Sequence, residues 1–172
     1  ASFIFRTQFI PLEDIFILHQ LAGLSVLAAL NSFGLTEAEI KWPNDIYVEN
    51  QKIAGILIEN TIVGMHLKYS VIGIGLNVNQ QHFSDTINAT SLSLILEKEM
   101  NKSDVLNKIL ASIEKYFLLL KERKFERLKS DYLENLFRYN VSSSFKRNGI
   151  EFIGKIIDVD EYGNLVLETE NG

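Results

Sequence analysis

Residues 40–52 read IKWPNDIYVENQK, placing an amide beside a carboxylate, Asn44-Asp45, and a lysine, Lys52, seven positions further on. The surrounding residues have strand character, and such polar groups are costly in a sheet unless they are paired or meet a ligand. A second stretch, VIGIGLNVN at 71–79, carries a complementary feature. With a two-residue period, Ile72, Ile74, Leu76 and Val78 share one face, and Gly73, Gly75 and Asn77 share the other. One face is core material. The other is nearly bare backbone ending in an amide. Glycine weakens a strand interior and is tolerated at a bulge, at a packed helix, or where a ligand or another backbone comes close. Two glycines on one face beside Asn77 suggest a flat binding floor, with Asn44, Asp45 and Lys52 on the neighbouring hairpin.

That set of groups suits a ligand bearing a carboxylate or a phosphate. Two anions about 4 Å apart repel by roughly 4 kcal/mol at an effective dielectric of 20. A reaction that joins a carboxylate to a phosphate must offset this, and a preorganised lysine does so directly. An aspartate beside it can hold magnesium on the phosphates, and an asparagine can bond the nucleotide or fix the aspartate. Other nucleotide sites fit poorly. A dinucleotide fingerprint needs a third glycine at position 78, which is Val78, and there is no Gly-Lys-Ser/Thr for a Walker loop. His19 falls in a buried helix and reads as a satisfied core residue, while His66 and His82 are too scattered for a metal site. The run KERKFERLK at 121–129 interleaves glutamates with its cations, as a solvated helix face does.

These residues need a sheet to position them. Residues 2–10 alternate as a strand, and a helix should run from Glu13-Asp14 to about Phe33, closed by Gly34 and apolar nearly all round. Strands follow near Ile40–Trp42, Ile46–Val48, Lys52–Thr61 and Leu67–Val78, with connections short enough to make antiparallel neighbours. Gln80–Asn88 reads as a loop and Ser91–Glu99 as a short helix. Ser103 can cap a longer helix with a stripe of Leu106, Ile109, Leu110, Ile113, Phe117 and Leu120. A further amphipathic piece covers Phe125–Tyr139. Ser142–Ser144 forms a joint, and Phe152–Val159 and Leu165–Thr169 flank a turn with Gly163 available for a positive φ. The expectation is an α+β domain over 1–139 and a small β module over 140–172.

Composition narrows the class. At 172 residues and 47% hydrophobic, the chain can bury a proper core. A formal charge of −5 and a pI near 5.3 argue against a dedicated nucleic-acid binder. The absence of cysteine excludes disulfides and thiol nucleophiles and suits a cytoplasmic protein. No uninterrupted apolar run is long enough for a bilayer, and the opening ASFIFRTQFIPLED lacks a signal-peptide layout, so no membrane partner is expected.

KWPNDIY, then KIAGILIE, then VIGIGLNVN, in this order and spacing, resemble the catalytic domain of biotin protein ligases, also called biotin–acetyl-CoA-carboxylase ligases. The resemblance covers nearly the whole chain. It implies a mixed or antiparallel sheet packed on helices, of the class II aminoacyl-tRNA-synthetase type, with a terminal Src-homology-3-like β module. It implies biotin and MgATP as substrates, a biotinyl-adenylate intermediate, and transfer to a lysine on the biotin carboxyl carrier domain of acetyl-CoA carboxylase. Lys52 then matches the catalytic lysine between biotin carboxylate and α-phosphate. Asp45 joins it in catalysis and matches the magnesium side, and Asn44 and Asp45 the nucleotide side. Gly55, Gly73 and Gly75, with Lys52, match the biotin pocket, and Asn77 the adenylate. Trp42 reads as packing, its ring covering the sheet. In strict alternation Lys52 and Gly55 face opposite ways, so this assignment requires a bulge or a backbone-only contact at Gly55.

Three departures from the family accompany the resemblance. Ala1 falls after the Ser-Thr pair and Gly/Arg-rich loop of these enzymes, the β module stops short of a full barrel, and no helix-turn-helix precedes the domain. The expectation is therefore a shortened piece with no nucleic-acid partner, and a homodimer by analogy. A lipoate–protein ligase, and a non-catalytic module that binds biotin or carrier, are the alternatives.

Overall fold

A computed structural model describes residues 1–84 and 86–169. Residue 85, in the expected loop, and residues 170–172, at the end of the expected β module, lie outside the described residues. Five strands, β1 (Ser2–Arg6), β2 (Glu39–Lys41), β3 (Asp45–Val48), β4 (Gln51–Val63) and β5 (His66–Leu76), form one sheet in the order β1-β5-β4-β3-β2. Every neighbour in it is antiparallel. The β3–β4 connection is two residues, Glu49 and Asn50, with φ of 50° and 65°. Two successive left-handed residues give a turn whose twist matches that of the strands, which makes the hairpin tight.

Helix α1 (Ile17–Asn31) packs on one face of this sheet, against α3 (Lys102–Lys121) and α4 (Phe125–Glu134). The stretch Leu12–Asn31 has a mean hydropathy of 1.4, so by length and composition it could cross a bilayer, although Glu13, Asp14, His19 and Gln20 interrupt its apolar run. Its hydropathy has another cause: 67% of its most apolar window is buried inside the protein. Ile40, Ile46, Ile56, Ile72 and Ile74 from the sheet meet Leu18, Leu21 and Leu30 from the helix in a single buried cluster.

The stripe on α3 is rotated from the expected one. Val105, Ile109, Ile113 and Leu120 are buried, whereas Leu106 and Leu110 are 39% and 43% exposed. Either set satisfies helical spacing, and contact with α1 selects between them. The helix is capped by Asn101, whose side-chain oxygen accepts from the Ser103 amide at 2.8 Å, rather than by Ser103 itself. A short helix, α2 (Leu92–Ile95), is capped by Ser91.

A second sheet, β6 (Ser142–Arg147), β7 (Ile150–Val159) and β8 (Leu165–Thr169), has the order β6-β7-β8. The expected serine joint is part of β6: Asn148 and Gly149, at φ of 52° and 84°, form an Asn-Gly hairpin turn that draws residues 142–147 into pairing. Ile156 and Val159 of this sheet belong to the same buried cluster as α1 and the main sheet. Asn140 donates to the Ile156 carbonyl at 2.9 Å, and Lys129 pairs with Asp158 at 2.7 Å. The core thus runs on past Asn140.

Candidate active site

Across the β3–β4 pair, Ile46 is opposite Ala54 and Tyr47 is opposite Lys52, so Ile53 has no partner on β3. Of the two arrangements that the family assignment allowed, a bulge or a backbone-only contact at Gly55, this is the bulge. Ile53 and Ala54 are buried in succession, and Lys52 and Gly55 emerge on the same face. A Cβ placed on Gly55 would lie 3.4 Å from both Cε and Nζ of Lys52. Asp45 is directly opposite Gly55 in register, and its Oδ1 pairs with Lys52 Nζ at 2.5 Å. The two side chains are 24% and 37% exposed. Such an ion pair in reach of water contributes little to stability. Its effect is geometric, since it fixes an ammonium over bare backbone.

The backbone of Lys52 is held as well. Its N–H donates to the Asn88 carbonyl and its carbonyl accepts from Thr90 N–H, each at 3.0 Å. On the other side of the site, Asn44 Nδ2 donates to the Ile56 carbonyl at 2.9 Å, and Ile56 N–H returns a bond to the Asn44 carbonyl at 2.8 Å. Asn44 therefore braces the turn that presents Asp45.

Gly73 and Gly75 form the floor. They pair in regular register with Leu57 and Gly55, so neither marks a bulge. A Cβ at Gly73 would come no closer than 3.6 Å to any neighbour, and one at Gly75 no closer than 3.8 Å. Packing does not demand glycine at either position, and the consequence of having it is open space. Asn44, Asp45, Lys52, Gly55, Gly73 and Gly75 line an open groove of about 360 Å³, together with Ser2 and Leu57. Asn77 is not brought to it. Its Nδ2 donates to the Thr90 carbonyl at 3.0 Å and its backbone N–H to the Ile53 carbonyl at 2.9 Å, tying the bulge to the segment before α2.

Four features escaped sequence reasoning. Ser2 reaches the groove because β1 pairs with β5, a long-range contact with no local signal. Trp42 also makes a long-range hydrogen bond, its Nε1 donating to the Gly163 carbonyl at 2.7 Å. His19 is partly buried, its Nδ1 lies out of reach of water without a hydrogen-bond partner, and burial lowers its pKa. The Tyr132 hydroxyl is likewise buried and unpaired, and burial raises its pKa.

A second hollow of about 390 Å³ lies between the start of α1, α4 and the β7–β8 turn. Its charged lining is Glu13, Asp14, Glu126, Asp160 and Glu161 with Lys129. Burial, then the charges of Glu13 and Glu161, push the Asp14 carboxyl above its usual range. Carboxylates outnumber the one cation in that lining, so it repels anions, whereas the groove at Lys52 sets one ammonium beside one carboxylate. Among the described residues, no three His, Cys, Asp or Glu side chains come together as a metal cage.

Residues 1–77 match the biotin/lipoate A/B protein ligase family. Over 169 residues, the chain is 31% identical to the bifunctional ligase/repressor BirA of Bacillus spizizenii, covering 95% of this chain and 51% of that protein. The biotin protein ligase of Aquifex aeolicus in complex with biotin and ATP superposes with a TM-score of 0.80 at 29% identity, covering 99% of this chain and 72% of that one. Nearly the whole chain is thus similar to biotin protein ligases. A biotin–[acetyl-CoA-carboxylase] ligase from Mycobacterium tuberculosis is 28% identical over 86% of this chain and 55% of its own length. The chain spans about half the length of the curated relatives it matches. The expected α+β architecture, of the class II synthetase type shared by biotin protein ligases, is the one found.

Proposed function

We propose that this chain carries the catalytic groove of an ATP-dependent biotin–protein ligase. The carboxylate oxygen of biotin attacks the α-phosphorus of MgATP, a mixed anhydride forms, and pyrophosphate leaves. The amine of a carrier lysine then attacks the acyl carbon, an amide forms, AMP leaves, and the amine gives up a proton. The observation that carries this reading is the Lys52 ammonium, paired with Asp45 and poised over Gly55. An ammonium there offsets the repulsion of about 4 kcal/mol between two anions brought to roughly 4 Å.

The chain's own residues divide the work. Lys52 draws the carboxylate and the phosphate together. Asp45 orients Lys52 through Oδ1, which leaves Oδ2 without a protein partner among the described residues. With one carboxylate and no cage, the site suits magnesium that arrives on the nucleotide, because that ion keeps phosphate and water ligands. The bound ion would neutralise phosphate charge. Asn44 holds the Asp45 turn and faces the nucleotide side, and Gly55, Gly73 and Gly75 let the biotin ring approach backbone. We assign Asn77 to the adenylate end through its bonds to the bulge and to Thr90. The names of relatives support biotin as the acid, and acetyl-CoA carboxylase as the enzyme whose biotin carboxyl carrier domain accepts it.

Supplying the protein with MgATP and either biotin or lipoate, and following pyrophosphate, tests the assignment. Release driven by biotin is expected. Release driven by lipoate alone would move the assignment to the other branch of the family, and biotin binding without release would leave a non-catalytic module. We place the reaction in the cytoplasm, where ATP and a cysteine-free protein both fit. We also expect a homodimer through the β1 edge, since the β2 edge is bonded to Asn135 and Phe137.

A further inference from the structure

Trp42, the only tryptophan in the chain, opens the turn that carries Asn44 and Asp45. Its indole N–H is directed away from the groove, to the Gly163 carbonyl 121 residues further along the chain. Trp42 is 37% exposed.

The acceptor is itself tightly placed. Gly163 sits at a φ of 87°, and its N–H donates to the Asp160 carbonyl at 3.0 Å. A Cβ on it would stand 2.4 Å from a Phe16 ring carbon, so the β7–β8 turn can seat on Phe16 only as glycine. The Asp160 carboxylate holds the same turn by accepting from the N–H groups of Tyr162 at 3.0 Å and Asn164 at 2.7 Å. Phe16 in turn meets the Tyr132 ring of α4 edge-on, with centroids 5.7 Å apart.

We infer that Trp42 is a positioning residue, through which the C-terminal sheet holds the turn bearing Asn44 and Asp45 and thereby sets where Lys52 stands over the glycine floor. The chain of contacts runs from the core at Phe16 to Gly163, to Trp42, to Asn44 and Ile56, and to the Asp45–Lys52 pair. Loosening the C-terminal sheet would loosen the turn while leaving the floor, built on β4 and β5, in place. The catalytic part of this inference rests on the ligase reading, and the structural part does not.

Two variants test it in the intact chain: Trp42→Phe, which removes the N–H and keeps an aromatic ring, and Gly163→Ala, which unseats the turn from Phe16. Hydrogen exchange at the Ile56 amide, whose acceptor is the Asn44 carbonyl, should speed up about tenfold in both, the loss expected for one hydrogen bond. Exchange at amides in the middle of β5 should stay unchanged. The kcat for biotin-dependent pyrophosphate release should fall by about tenfold, while KM for biotin moves less than about threefold, because the floor is intact. Unchanged Ile56 exchange in Trp42→Phe, or faster exchange with kcat unaltered, overturns the inference. Should Gly163→Ala fail to fold, Trp42→Phe decides alone. A wild-type protein that releases no pyrophosphate would sink the ligase reading, and the exchange measurement would still decide whether Trp42 holds the turn.

Discussion

Lys52 lies over Gly55, with Nζ 3.4 Å from where a Cβ on that glycine would stand, although the two residues are three apart in one strand. The bulge at Ile53 makes this possible, and a methyl on Gly55 would stand in van der Waals contact with the ammonium, so a branched side chain would crowd it. Asp45 Oδ1 is only 3.5 Å from the same point, so alanine at 55 would touch both members of the ion pair. Gly55→Val should therefore displace Lys52 and reduce pyrophosphate release by about 100-fold, the scale of losing one aligned charge donor. Its melting temperature should barely move, because a β-branched residue suits a strand. A Gly55→Val enzyme with the wild-type rate would count against the geometry.

Removing the ammonium is the direct test of its role. Lys52→Ala should lower adenylate formation by about 100- to 1,000-fold. The pair is partly exposed on both sides, so stability should change by less than about 1 kcal/mol. Single-turnover adenylate formation and urea denaturation measure the two effects separately. A large loss of stability would make Lys52 a structural residue.

Asn77 should behave differently. Its side-chain amide bonds the Thr90 carbonyl, whereas its bond to the bulge is made by backbone that alanine would keep, so Asn77→Ala should cost about 1 kcal/mol in urea denaturation. Should the variant keep full stability and raise only the KM for ATP, Asn77 would be a direct nucleotide ligand and not a brace.

His19 makes stability depend on pH. Burial holds its pKa below the ordinary 6.5, so below 6.5 the unfolded chain takes up a proton that the folded protein excludes. Stability is then greatest above 6.5 and falls as pH drops toward the lowered value. Melting temperatures should decline by several degrees between about pH 7 and pH 5, and His19→Leu, which keeps an apolar contact with Phe16, should flatten the decline. An equal slope in wild type and variant would assign the pH response to other groups.

Sedimentation at tens of micromolar should give about twice 19.6 kDa if the β1 edge pairs with a second copy. A single species of 19.6 kDa across that range would exclude the dimer.

Much of the site was legible because its signals are local. The two-residue period separated Gly73 and Gly75 from Ile72 and Ile74 without any knowledge of neighbours, and the groove lining carries that separation. The order of KWPND, KIAGI and the glycine strand placed Asn44, Asp45 and Lys52 beside the floor. Alternation taken with the family resemblance required either a bulge between Lys52 and Gly55 or a backbone-only contact at Gly55.

What the tertiary structure decided depended on partners distant in the chain. The bulge sits at Ile53 because β3 offers one residue where β4 offers two, and that mismatch exists only in the paired register. The face of α3 that is buried depends on where α1 lies, so Leu106 and Ile109 were equally good core residues until packing separated them. Asn77 bonds to Thr90, and Trp42 to Gly163, because folding brings each an otherwise unpaired carbonyl. Periodicity states which residues can share a face. Only the completed set of contacts determines what each side chain on that face will touch, because hydrogen bonds and packing at a few ångströms carry no mark in the sequence between them.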